Sequence, residues 1–108
     1  LYIELDAKKS LGFAKEAYEL ASTNAAVCDT LGWSYYKNGQ INQALTYLVK
    51  AHQLDQNLAD ATYHLAILYR EQGQKQVAVA FLKQAVASAD PEFSARVQAN
   101  MLLNHWST

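Results

Sequence analysis

Small and apolar residues recur along this chain three and four positions apart, the spacing that lines side chains up on one face of an α-helix. Leu31 and Tyr35 form one such pair, and Leu65 and Tyr69 repeat it. Ala44, Leu48 and Ala51 follow the same rhythm, and so do Ala78, Leu82 and Ala85. Gly39 and Gly73 punctuate the runs, at points where a helix can end in a left-handed residue without a Cβ clash. The pattern predicts a helix over 7–21, then helix pairs at 25–38 with 41–54 and at 59–72 with 75–88. Asn57 with Asp60 is the candidate start signal for the helix near 59, since a side-chain acceptor can bond the free N–H groups there. Composition agrees with helix. The chain has 108 residues, 51% of them hydrophobic, with one proline and four glycines, and valine, isoleucine and threonine are sparse.

Sliding the chain against itself by 34 residues shows an internal repeat. Ala25 meets Ala59, Leu31 meets Leu65 and Tyr35 meets Tyr69. Gly39-Gln40 meets Gly73-Gln74, and Ala44, Leu48 and Ala51 meet Ala78, Leu82 and Ala85. Tyr47 against Phe81 keeps an aromatic ring, and Gly32 against Ala66 keeps a small residue. Leu11, Ala17 and Leu20 align in turn with Leu45, Ala51 and Leu54. Residues 7–21 therefore read as the second helix of an earlier copy, with only residues 1–5 left of its first helix. That implies a piece of a longer array. No such unit can bury its apolar face alone, so neighbouring copies must stack.

The first full copy reads Cys28, Leu31-Gly32, Tyr35, then Ala44, Leu48 and Gln56. The second reads Thr62, Leu65-Ala66, Tyr69, then Ala78, Leu82 and Asp90. Over roughly residues 1–90 this resembles the tetratricopeptide repeat family, whose pattern is W-x2-L-G-x2-Y, A-x3-F and a closing proline. The departures are Cys28 and Thr62 in the first position and the missing proline in both copies. The resemblance implies an all-α solenoid of antiparallel helix pairs, with a partial repeat over 1–24 and repeats over 25–58 and 59–90. It also implies a close approach of the paired helices at Gly32 and Ala66, facing Ala44 and Ala78.

After Ser88 the pattern changes. Asp90-Pro91-Glu92 has the makeup of a helix start: a capping acid, a first-turn proline and a second acid at the positive end. Phe93, Val97 and Met101 share one face of the helix expected over 91–106. Ala99 and Asn100 stand where Leu-Gly belongs in the repeat register. This segment is expected to be a C-terminal capping helix over the last repeat's apolar surface. A degenerate third repeat is the competing reading.

In the tetratricopeptide family the first helices of successive repeats line a concave groove. Carried over by register, its sites here are Ala26, Asp29, Trp33, Tyr36 and Lys37 in one copy. In the next they are Asp60, Tyr63, Ile67, Arg70 and Glu71. Aromatic and arginine side chains are frequent anchors of peptide interfaces. The resemblance therefore implies that this face holds a peptide or partner protein. The competing reading is that Trp33 and Tyr36 only pack on the neighbouring repeat or the cap. Some members clamp a C-terminal carboxylate with lysine and asparagine. Here Asp29, Trp33 and His64 stand at those positions, and an acid there would repel a carboxylate.

Charge and chemistry narrow the function further. A formal net charge of −1 with interspersed signs lacks the basic footprint of a nucleic-acid binder. The longest apolar run, Val77 to Leu82, is far short of the ~20 residues of a membrane span. Cys28 is the single cysteine, so it has no partner for an internal disulfide, and it falls at a packing position. Asp60 and His64 are four apart and can pair on a helix surface, while Asp29 and Asp60 read as acids at helix starts. No His or Cys pair has zinc-ligand spacing, and the glycines lie too far apart for a phosphate loop. Neither catalysis, a metal nor a cofactor is expected. A second function class is structural: a spacer, or self-association through an end face of the array that includes Leu11, Ala14, Ala17 and Tyr18. A third is an accessory domain of an enzyme. The strings Asp29 to Trp33 and Tyr63 to Ala66 also resemble C-terminal repeats of bacterial tetratricopeptide proteins, many of them exported or lipid-anchored. That resemblance implies a bacterial source and a periplasmic setting.

Overall fold

The computed structural model describes residues 2–107, and among them it contains six helices and no strand. They are α1 (Tyr2–Leu20), α2 (Ala25–Lys37), α3 (Ile41–Leu54), α4 (Ala59–Glu71), α5 (Lys75–Ala87) and α6 (Arg96–Trp106). Each helix packs on the next in the chain, and α2 also touches α4. The result is the expected all-α stack of antiparallel pairs, α2 with α3 and α4 with α5. None of these helices is long and apolar enough to cross a membrane.

The two hairpins turn the same way because the same backbone bonds are made 34 residues apart. Gly39 and Gly73 have φ of 75° and 81°. That left-handed conformation lets Gly39 N–H reach Tyr36 O and Gln40 N–H reach Tyr35 O. In the second hairpin Gly73 N–H reaches Arg70 O and Gln74 N–H reaches Tyr69 O. The carbonyls left over at the helix end are thereby satisfied.

Packing within the hairpins follows the repeat as well. Ala44, Leu48 and Ala51 on α3 are fully buried, as are Ala78, Leu82 and Ala85 on α5. A Cβ on Gly32 would stand 2.7 Å from Leu48 Cγ and 3.0 Å from Ala44 O, so α3 crosses α2 where only hydrogen leaves room. Beside that crossing, Tyr35 stacks on Tyr47 at 5.5 Å and 12°, and Tyr69 stacks on Phe81 at 5.5 Å and 9°. Leu31, Leu48, Leu65, Leu68 and Leu82 are each less than 2% exposed. Burial of each contributes roughly 2 kcal/mol relative to an exposed side chain.

Several expectations need correction. Residues 2–5 do not belong to a separate first helix: α1 runs unbroken from Tyr2 to Leu20. Leu1 lies outside the described residues. Leu11 and Ala14 are core residues packed with Leu31, and Tyr18 is half-buried against them, so of the expected end face only Ala17 is exposed. Among the described side chains of α1, the large apolar ones left exposed are Phe13 at 70% and Leu20 at 90%.

Nor do Asn57 and Asp60 cap α4. Leu58 is the residue before its first turn and supplies no side-chain bond. Asn57 N–H donates to Asp55 Oδ1 instead. The acceptor for Ala59 N–H is Asp90 Oδ2, at 3.3 Å, from the loop after α5. Asp90 therefore does not open the last helix. Its Oδ1 accepts from Glu92 N–H in a local turn, and α6 begins only at Arg96. The apolar face of α6 also differs from expectation. Ala99 is buried in a cluster with Ala59, Ala66, Leu82 and Ala85. Leu102, Leu103 and Trp106 pack against that cluster, and Phe93 joins it from the preceding loop. Val97 and Met101, assigned to that face from spacing with Phe93, are each 67% exposed. Phe93 precedes the helix, so its spacing to Val97 is not helical.

Candidate functional site

The first-helix face is built on α2 and α4. Asn24 starts α2, its Oδ1 accepting from Val27 N–H at 3.1 Å. Two links then tie α2 to α4, one towards each end, both between residues 35 apart in the chain. Near the start, His64 Nδ1–H donates to Asp29 Oδ1 at 2.7 Å. Near the end, Tyr36 O–H donates to Glu71 Oε1 at 2.6 Å. Equal offsets at both ends mean that the two helices run parallel.

Asp29 is buried at 7% exposure, and a carboxylate can only accept, so His64 must carry its hydrogen on Nδ1. Asp29 is thus not a helix-start acid explained by the dipole, and His64 pairs with it rather than with Asp60. The imidazole lies flat on Trp33, with centroids 4.0 Å apart and planes at 16°. Trp33 stacks in turn on Tyr36 at 4.6 Å and 26°. On the other side His64 meets Tyr63 at 5.9 Å, and Tyr63 meets Phe93 edge-on at 5.7 Å. A run of five rings, Tyr36, Trp33, His64, Tyr63 and Phe93, therefore crosses from α2 over α4 to the loop before α6. Offset and edge-to-face pairs of this kind add about 0.5–1.5 kcal/mol each beyond area burial.

Electrostatics divides this face. Burial first, and then the hydrogen bond and charge of Glu71, push the Tyr36 phenol up to about 12. Burial pushes Tyr63 up as well. Asp60 is also raised, first by burial and then by the charge of Asp29, with Asp90 and Glu92 acting in the same direction and His64 against them. Acids thus gather where α4 begins. At the other end Arg70 lies over the Trp106 ring, 5.7 Å from its centroid.

Of the expected groove residues, Asp29, Trp33, Tyr36 and Tyr63 come together through His64, and Asp60 adjoins them electrostatically. Ile67 and Arg70 lie half-buried further along α4, while Ala26 and Glu71 are exposed. Lys37 stands apart: it is exposed and lines an open depression of about 400 Å³ with Asp6, Ala7 and Ser10 of α1. His64, Phe93 and Trp106 were missing from the expected set. His64 sits one place past the position that register carries over from Asp29, which is why register alone passes it by. Cys28 is wholly buried; burial raises its thiol, which donates to Ser22 O at 3.4 Å.

A family model described as tetratricopeptide repeat matches residues 35–101, well over half of the sequence. The chain belongs to the tetratricopeptide repeat family. The match takes in both hinge glycines and the stacked pair Tyr69–Phe81, and runs on into α6. Among solved structures, the type III secretion translocator chaperone SycD of Yersinia enterocolitica superposes with a TM-score of 0.81. That likeness covers 98% of this chain and 75% of SycD, at 16% identity, and so speaks for a shared fold. No curated protein matches the sequence. In this tetratricopeptide chain the helix pairs are the repeats, and the five-ring run joins one repeat to the next.

Proposed function

We propose that this tetratricopeptide chain is a protein-interaction module that holds a peptide or segment of a partner protein on its first-helix face, taken as the concave side of the solenoid. The observation that carries this reading is the ring run centred on Trp33 and His64. Ring stacking of this extent is more than two repeats need in order to stack. Leu31, Leu48, Leu65 and Ala51 already supply a fully buried core. Trp33, Tyr36 and Tyr63 are only half-buried, so they keep surface for a ligand. Rigid aromatics with few rotatable bonds lose little entropy on binding and commonly dominate interface energetics. The likeness to a chaperone of secreted translocators supports a protein as the partner. Burial of Cys28 speaks against a nucleophile, and an extended open face suits binding better than chemistry.

The competing expectation is that Trp33 and Tyr36 merely pack on the neighbouring repeat or the cap. Trp33 does rest on His64 of the next repeat. The two roles are compatible, because a ring fixed by stacking presents its free edge without further ordering cost.

A second reading is self-association through α1, favoured by Phe13 and Leu20, exposed at 70% and 90%. One experiment separates the two. Immobilised wild-type protein is compared with Trp33→Ala/Tyr63→Ala and with Phe13→Ser as bait in extract of the source cells. Circular dichroism confirms that each variant is folded. The groove reading expects captured proteins to be lost with the aromatic pair removed and kept with Phe13→Ser. Equal capture by wild type and Trp33→Ala/Tyr63→Ala rejects it. The self-association reading expects light scattering to show a mass that falls on dilution, and falls further with Phe13→Ser.

A further inference from the structure

The last helix carries exposed apolar side chains that neither the core nor the five-ring run uses. Val97 and Met101 are each 67% exposed and lie one turn apart on α6. Their position can be read from the repeat. Adding 34 to the core residues Leu65, Leu68 and Tyr69 of α4 gives Ala99, Leu102 and Leu103. These, with Trp106, are the residues of α6 that pack in the core cluster holding Leu82 and Ala85 of α5. Adding 34 to the outward residues Tyr63 and Ile67 gives Val97 and Met101. Five of these positions carry over together, while Ala66, buried on α4, meets the exposed Asn100 on α6. The match at Ala99, Leu102 and Leu103 against Val97 and Met101 sets which side of α6 faces the core. Trp106 at the end of α6 meets Arg70 of α4, and Phe93 in the loop that leads into α6 meets Tyr63. In this respect α6 stands to α5 as α4 stands to α3. On α2 and α4, whose own partner helices α3 and α5 are present, the same sector stays partly open at Trp33, Tyr63 and Ile67. A further helix paired with α6 would therefore leave Val97 and Met101 uncovered.

Charge says what suits this surface. Asp60 and Glu92, with Asp90 and Asp29 behind them, gather where α4 starts and just before α6. His64, the one neighbour that acts the other way on Asp60, is already bonded to Asp29. Asp29 and both carboxylate oxygens of Asp90 are already bonded, and the Arg96 guanidinium is held on Val86 O and Asp90 O. Asp60 and Glu92 are therefore the carboxylates a cationic side chain would meet, whereas an anionic one would be repelled. We infer that α6 acts as a third first-helix wall of the docking surface, with Val97 and Met101 as its apolar site, and that the occupant is an extended segment of a partner protein carrying apolar side chains and at least one lysine or arginine. This rests on the reading of the first-helix face as the binding surface.

The test is panning a random dodecapeptide library against the wild-type protein, then measuring the enriched peptides by fluorescence anisotropy. The inference expects enrichment in lysine or arginine together with leucine, methionine or aromatic residues. Val97→Ser/Met101→Ser should weaken those peptides by about tenfold, as loss of two apolar anchor contacts does. Both side chains are largely exposed, so an unchanged melting temperature should show that the variant is folded. Asp60→Asn/Glu92→Gln should weaken the basic peptides and flatten their salt dependence. Peptides that lose affinity with Trp33→Ala but bind Val97→Ser/Met101→Ser as tightly as wild type overturn the α6 wall and leave the first-helix reading standing. Enrichment in acidic peptides overturns the assigned partner chemistry. Peptides indifferent to Trp33→Ala and Val97→Ser/Met101→Ser alike, or no enrichment at all, overturn both.

Discussion

His64 of one repeat donates a 2.7 Å hydrogen bond to Asp29 of the repeat before it, with side chains only 17% and 10% accessible. The same imidazole lies flat on Trp33. One residue thus satisfies a buried carboxylate and extends an aromatic surface. Asp29→Ala removes the acceptor and strands the Nδ1 donor. His64→Phe keeps a ring against Trp33 but strands the carboxylate in a poorly hydrated site. Each is expected to cost about 1–3 kcal/mol of stability, the penalty for a buried polar group left without its partner. Urea unfolding of both single variants and the double variant measures this. If the bond matters, the double variant loses less than the sum of the singles, and additive losses would show that it does not.

Gly32 is expected to resist substitution although it lies inside a helix. Alanine there would gain about 1 kcal/mol of helix propensity. Its methyl would stand 2.7 Å from Leu48 Cγ, however, and 3.0 Å from a backbone carbonyl that cannot easily retreat. Overpacking of this sort costs about 1–3 kcal/mol, so the net effect is destabilising. The equivalent site one repeat on already holds Ala66, fully buried. Gly32→Ala should lower the melting temperature. A rise would mean that the α2–α3 crossing opens without cost.

Much of this fold is legible in the sequence because the features that repeat are local or nearly so. Gly39 and Gly73 announce a left-handed turn by residue type alone. Leu31, Leu48 and Ala51 announce a buried face by spacing. The site is less legible, because what makes it is contact between repeats. Nothing near His64 in the sequence reveals a bond to a residue 35 positions earlier, and Asp60, four positions away, is the more obvious partner. The apolar face of the last helix is hard to read for a related reason: the Phe93–Val97–Met101 spacing looks helical, but Phe93 belongs to the loop. The 34-residue register places Ala99, Leu102 and Leu103 on the core side of α6, and departs from the structure at Asn100, exposed where Ala66 is buried.

Tyr36 makes a prediction in alkali. Its phenol is held at about 12 against an ordinary 10.0, through burial first and then the Glu71 carboxylate. A raised acid binds its proton more tightly folded than unfolded. Its contribution is therefore fully present below pH 10 and is lost as pH rises from about 10 towards 12. Tyrosinate absorbance should show Tyr36 titrating late, alongside the Tyr63 phenol that burial also raises, and Tyr36→Phe should remove the Tyr36 share. Tyr36→Phe should also reduce the fall in stability across this window. An unchanged late component in Tyr36→Phe would assign it to another tyrosine.

Asp90 provides the last test, because it does work for a helix that begins 31 residues before it. Its Oδ2 takes the N–H of Ala59 at the start of α4, and its Oδ1 takes the N–H of Glu92. No side chain of the α3–α4 loop caps that end. Removing a capping acceptor costs about 0.5–2 kcal/mol, and the 3.3 Å length places this one in the lower half of that range. Asp90→Ala is therefore expected to destabilise by about 1 kcal/mol, and Asp90→Asn, which keeps one acceptor oxygen, by less. Amide hydrogen exchange locates the effect. If Asp90 caps α4, protection should fall in the first turn of α4 as well as in the loop before α6. Loss confined to that loop would show that the Ala59 bond contributes nothing.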